Sequence, residues 1–272
     1  MRSSILLSAF YATAVVAAPS YPKFEADAAT PTSPDDLSDY FSMLASKISA
    51  GVDAGSAQSC DLSNAVLPTT SPSPLPSVSE GLKLKHVAIG RGTQNYTCDL
   101  SNTTAAPAAV GATATLFNAT CIASAYPDLL NLLPRVALAF NLTESSAYPA
   151  NLIPSTTGEV LAPGNYMISG HHYFINSVTP FFDLNTTNWD LGTVPSVKNA
   201  TATAPEGAAV GQQGEAAVAW LKLTAREGAT GKLQEVYRVE TAGGSQPATC
   251  AGMSAAFEVQ YSAQYWFFES DS

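Results

Sequence analysis

LKLKHVAIGRGTQNYTCDL, residues Leu82 to Leu100, is the stretch on which the reading of this chain turns. Apolar and charged residues alternate from Leu82 to Lys85, the period-two pattern of a strand with one buried face. Gly90-Arg91-Gly92 follows, and two glycines one residue apart behind a strand can open a dinucleotide-binding turn. That turn needs a third small residue where Asn95 stands and a helix starting there, so that backbone N–H groups meet the pyrophosphate. Tyr96-Thr97-Cys98 instead favours strand. The stretch is therefore read as two strands, LKLKHVAI and QNYTC, joined by a tight connection at the twin glycines, and no nicotinamide cofactor is expected.

Further strands are predicted in ATATLFNATC, YMISGHHYFI, AAVAWLKLTA, LQEVYRVET and FEVQYSAQYWFF, with Gly243-Gly244 supplying a long turn after the fourth of these runs. YPDLLNLLPRVALAF reads as helical, with Pro134 limiting it to short pieces. Ser33-Pro34-Asp35-Asp36 opens an N-terminal helix marked by Leu37, Phe41, Leu44 and Ile48 and stopped at Gly51. LPTTSPSPLP, from Leu67 to Pro76, reads as an extended connector. The fold class is all-β, an antiparallel β-sandwich or barrel with a short N-terminal helix and one small helical insertion. Residues 18–81 form the helix and connector, and 82–272 the β domain.

The first residues bear on the compartment. Arg2, an apolar run from Ile5 to Val16 and small residues behind it make a secretory signal peptide, with cleavage expected after Ala17. Asn95, Asn102, Asn118, Asn141, Asn185 and Asn199 are each followed two residues later by Thr, and on an exported chain they are expected to carry glycans. Cys60, Cys98, Cys121 and Cys250 favour two disulfides, with the pairing left open between Cys98–Cys250 and Cys98–Cys121. No C-x-x-C spacing supports a metal site. A formal charge of −10 argues against nucleic acid as a partner, and no apolar segment is long enough for membrane insertion. The localisation expected is extracellular or at the cell wall, with a wall polysaccharide or a small ligand as partner.

His171 and His172 are adjacent, so on a strand they face opposite sides and cannot act as a pair. One of them facing inward beside Asp183 would give the alternative reading, an extracellular hydrolase or lyase. G-x-S-x-G and H-E-x-x-H are absent, and a glycosidase needs only two carboxylates, for which Asp183, Asp190, Glu240 and Glu258 are available.

GRGTQNYTC, GHHYF…PFFD, AVAWLKLTA, VYRVETAGGSQPATC and VQYSAQYWFF, in that order, resemble the secreted domain-of-unknown-function family 3455 of filamentous fungi and bacteria. The resemblance runs from about Leu82 to Phe268 and implies no established reaction. Fungal members are often labelled malate dehydrogenase, a label the incomplete fingerprint does not support. The resemblance points to Gly92, Gln94, Tyr96, His172, Tyr173, Trp220, Arg238, Gly243, Gly244 and Tyr265. Where bacterial members typically show Pro-Thr-Trp-Glu, this chain has Pro180-Phe181-Phe182-Asp183. The polar members Gln94, His172 and Arg238 are the candidate ligand-binding residues, on a protein expected to bind rather than catalyse.

Overall fold

The computed structural model describes residues 61–70, 72–139, 168–176 and 178–271. The expected leader and N-terminal helix, Cys60 and Asn141 lie outside the described residues. Within them the chain forms β1 (Leu82–Thr97), β2 (Ala108–Asn118), β3 (Ile168–Ile175), β4 (Thr179–Asn185), β5 (Asp190–Ala202), β6 (Trp220–Ala225), β7 (Leu233–Gly243) and β8 (Ala256–Ser270). Each strand is antiparallel to the next, and β8 returns to pair with β1, so the sheet closes into a barrel. Of the two architectures the sequence allowed, the barrel is the one formed. It leaves no open edge among these strands.

The twin glycines are not a connection. β1 runs unbroken through them for 16 residues and pairs along its length with β8 and, from Ala88 onward, with β2. What reads in sequence as a break is a demand for space. A Cβ at Gly90 would stand 2.4 Å from the Tyr265 ring, and one at Gly92 would stand 1.9 Å from the Thr113 carbonyl oxygen. The dinucleotide turn is excluded by the same observation, because residues 90–95 lie inside a strand flanked by antiparallel neighbours, and no helix begins there.

Alternation along β1 and β8 sorts the side chains into two cores. Ala88, Tyr261, Ala263, Tyr265 and Phe267 fill the barrel interior with Leu116, Phe182, Val194, Leu223 and Val236. Val87, Ile89, Tyr237, Val239, Trp266 and Phe268 face outward beneath two helices, α1 (Thr120–Ala125) and α2 (Pro127–Ala139). The run WFF at the end of the chain thus serves both layers.

α2 continues for 13 residues with Pro134 inside it, where the sequence predicted short pieces. Proline cannot donate to the carbonyl four residues back, which here belongs to Leu130. Gln264 on β8 replaces that donor, its Nε2 lying 3.2 Å from the Leu130 oxygen and 3.1 Å from Asn131 Oδ1. Its own Oε1 accepts from Trp266 Nε1 at 2.9 Å. At the other end of the helix, Arg91 Nε donates to the Ala137 carbonyl at 3.0 Å and Gln212 Nε2 to that of Leu138 at 2.7 Å. The residue between the two glycines is therefore a helix cap, buried on the outer face of the barrel.

The end of the Pro/Ser-rich connector is docked on the barrel. Leu67, Leu75 and Val78 pack against the outer core. The buried pair Lys222–Glu235, 2.9 Å apart, receives Ser79 Oγ at 2.6 Å, and Lys222 donates to the Ser77 carbonyl at 2.7 Å. Tyr237 donates to the Pro76 carbonyl at 3.0 Å. A disulfide joins Cys98 to Cys250, closing a loop of sequence separation 152, and Cys121 is also disulfide-bonded. β2 begins at Ala108 and β5 extends to Ala202, so the predicted loops Ser101–Gly111 and Asn199–Gly214 are shorter than expected.

Two substitutions test this account by urea denaturation. Gly92→Ala forces β1 away from β2 and should destabilise by about 1–3 kcal/mol, the range for overpacking. Gln264→Leu strands the Leu130 carbonyl and should cost about 1–3 kcal/mol; an unchanged midpoint would show that Pro134 is tolerated without it.

Candidate functional site

Inward-facing residues of seven strands leave an unfilled space in the barrel. Gln94 (β1), Ala112 (β2), His172 and Phe174 (β3), Pro180 and Phe182 (β4), Leu221 and Leu223 (β6), Arg238 (β7) and Tyr265 (β8) line a cavity of about 40 Å³. That is room for roughly three waters. Strand register brings the set together: His172 stands opposite Ala114 and Phe182, Leu221 opposite Arg238, and Arg238 opposite Tyr265. Gln94, His172 and Arg238, distant in sequence, meet at this one cavity.

Each polar side chain has a defined state. His172 Nδ1 donates to the Phe181 carbonyl at 2.9 Å, which leaves Nε2 of the neutral ring as an acceptor. The ring stacks on Phe182 at a centroid distance of 4.2 Å and an interplanar angle of 12°. Burial pulls its pKa down to about 4, with the Phe181 hydrogen bond acting upward and the charge of Arg238 adding to the fall. Arg238 donates through one terminal nitrogen to the Ala219 carbonyl at 2.9 Å, while its buried Nε has no partner. Gln94 is 8% exposed, and its Nε2 is likewise buried without a well-formed hydrogen bond, its side chain acting on the Tyr261 hydroxyl. Among the described residues Arg238 forms no ion pair.

Two tyrosines complete the polar surface. The hydroxyls of Tyr261 and Tyr265 share a hydrogen bond of 2.8 Å. Burial raises both well above or above the ordinary phenol value, against the opposing charge of Arg238. The family resemblance points to Tyr265 without placing it among the candidate ligand-binding residues, and it does not single out Tyr261. Their signal was the period-two spacing of Tyr261, Ala263, Tyr265 and Phe267, which places two phenols on an otherwise apolar inward face.

Other predicted residues fall elsewhere. Asp183 stands opposite His171 and Thr193, so it faces away from His172, and its Oδ1 accepts from the Asn185 backbone at 3.0 Å. Asp190, Glu240 and Glu258 do not line the cavity. Tyr96 donates to the Gly244 carbonyl at 2.7 Å and Trp220 is buried in the outer core. Gly243 and Gly244 adopt φ of 58° and 94°, as the long turn requires. Asn102, Asn185 and Asn199 are exposed, whereas Asn95 and Asn118 are half-buried. Among the described residues no group of three or more His, Cys, Asp or Glu could hold a metal ion, and no helix is long and apolar enough to cross a membrane.

The family model described as "Protein of unknown function (DUF3455)" matches residues 78–269, more than half of the chain and the whole barrel up to its penultimate strand residue. The chain belongs to this family. No curated protein and no solved structure matches it. The family boundary at residue 78 includes Ser79, the hydroxyl that meets Glu235, so the end of the docked connector belongs to the family unit.

The buried histidines give a pH prediction. Burial lowers His86 to about 3 and His171 and His172 to about 4, from an ordinary value of 6.5. Between 6.5 and those values the unfolded chain binds more protons than the folded one, so their contribution is full above pH 6.5 and is lost as pH falls. Glu240, raised by burial, opposes this trend. The thermal midpoint of His172→Gln should therefore depend less steeply on pH between 7 and about 4.5 than that of the unsubstituted chain; equal slopes would remove His172 from the account.

Proposed function

We propose that this chain is an exported glycoprotein of a filamentous fungus, acting outside the cell or at the cell wall as a binding protein that takes a small ligand into its barrel. The observation that carries the reading is the convergence of Gln94, His172 and Arg238 on one cavity, with two of the three holding buried donors that the protein leaves unused. Buried donors are ordinarily satisfied, and a cluster of unsatisfied ones beside a cavity suits a missing partner. Small eight-stranded barrels have an interior of the right size to enclose one small molecule. Export rests on the apolar leader, the Thr-following asparagines and the disulfides.

Hydrolysis or elimination is the weaker reading. A histidine acting as general base needs a partner that orients it and a second polar group on the reacting atom. His172 is oriented by a backbone carbonyl, and Asp183, its expected carboxylate partner, faces the other side of the sheet. Cofactor-dependent malate oxidation has still less support, because the glycines on which that label would rest lie within a continuous antiparallel strand.

Ligand-detected NMR of the purified chain against a panel of small neutral and charged molecules tests the binding reading. Binding is expected for the unsubstituted chain and lost in Ala112→Val, whose added methyl groups fill the cavity while suiting a strand. Binding that survives this substitution in a folded variant places the ligand elsewhere.

A further inference from the structure

Resting on the reading of the cavity as a ligand site, we infer that its ligand is an anion, a monocarboxylate of about one to three carbons or a carboxylate end group of that size. The argument starts from charge. A guanidinium keeps its charge in proteins, and a buried charge is ordinarily paired. Arg238 is 8% exposed, its side chain donates to the Ala219 carbonyl and bears on the Tyr265 hydroxyl, its Nε stays without a partner, and no carboxylate lines the cavity. A carbonyl dipole offsets part of that charge, and an anion in the cavity would offset the rest.

Donor and acceptor chemistry points the same way. Arg238 Nε–H and Gln94 Nε2–H are buried without partners. Tyr261 and Tyr265 share one hydrogen bond, so when Tyr261 donates it the Tyr265 O–H is left over, at the cavity wall. These donors meet only neutral acceptors, the Nε2 of His172, the Gln94 carbonyl oxygen and the two phenol oxygens, and no anion balances the guanidinium. A carboxylate offers two charged oxygens with several lone-pair sites to the guanidinium and the unpartnered N–H groups, whereas an amide or alcohol would leave the charge of Arg238 unpaired. The remaining wall is carbon, from Phe174, Pro180, Phe182, Leu221 and Leu223. That wall suits a short alkyl group better than a second charged oxygen, which favours a carboxylate over an inorganic anion. The volume of about 40 Å³ sets the upper size.

Thermal unfolding and saturation-transfer NMR of the purified chain are followed with sodium acetate, with sodium chloride at the same ionic strength, and with acetamide, the neutral isostere. Acetate should raise the midpoint saturably, as a ligand of the folded state must, and should give saturation transfer, while chloride and acetamide do neither. Gln94→Leu and Arg238→Met should each weaken acetate binding by about tenfold or more, the loss of a hydrogen bond to a charged group. Gln94→Leu leaves every charge in place and guards against an Arg238 variant that fails to fold. Acetamide binding as well as acetate, or acetate binding unchanged by Gln94→Leu, overturns the inference. If acetamide alone binds and Ala112→Val abolishes it, the cavity is a ligand site but not for anions. If neither molecule nor any member of the wider panel binds, both the inference and the reading beneath it fall.

Discussion

The structure depends on the pairing of β1 with β8, which closes the barrel over nearly the full length of both strands. Closure alone would leave an interior too crowded for the side chains that β8 carries inward, because Tyr261, Tyr265 and Phe267 all point to the same side. Glycine on β1 removes the conflict. Gly90 gives the Tyr265 ring its place, and Gly92 lets β1 and β2 approach at Thr113. The ladder and the interior packing are thus satisfied together, by two positions where a strand ordinarily gains from a larger residue.

The same strand turns its other face to the helices. Arg91, held between the glycines, caps α2 from below, and Gln264 on β8 supplies the donor that Pro134 cannot. A proline inside a helix ordinarily breaks it by leaving a carbonyl unmatched. Here the barrel wall provides the match, so helix and barrel are tied by hydrogen bonds as well as by the packing of Leu130, Leu133, Val239 and Trp266. The connector is held by a comparable arrangement around Lys222 and Glu235.

Much of this was legible in the sequence and the rest was hidden for physical reasons. Period-two alternation in FEVQYSAQYWFF and LQEVYRVET marked strands because their two faces meet different environments. The choice of barrel over sandwich was not legible, since closure depends on which strand meets which at the ends. Gly90 and Gly92 misled because glycine in a strand has two opposite uses, a turn or a close approach, and the ring that distinguishes them lies 175 residues further on, at Tyr265. Pro134 misled likewise, its rescue coming from Gln264. The candidate trio Gln94, His172 and Arg238 came from a family pattern of polar residues on predicted strands, and no local spacing could show that strands β1, β3 and β7 face a common interior.

What remains is why the barrel should keep a cation in that interior. Replacing Arg238 with an apolar residue of similar volume would spare the cost of desolvating a charge, and buried ion pairs themselves are often no more stabilising than such a replacement. An unpaired buried charge is worse still. Structural need does not explain it, because the adjacent inward positions on β7 and β8 are held well by Val236 and Phe267. Nor does internal hydrogen bonding account for the whole side chain, since it reaches the Ala219 carbonyl but leaves Arg238 Nε and Gln94 Nε2 without partners. A residue that costs stability, and whose donors meet others at a cavity instead of closing on the protein, is best understood as held for what enters that cavity.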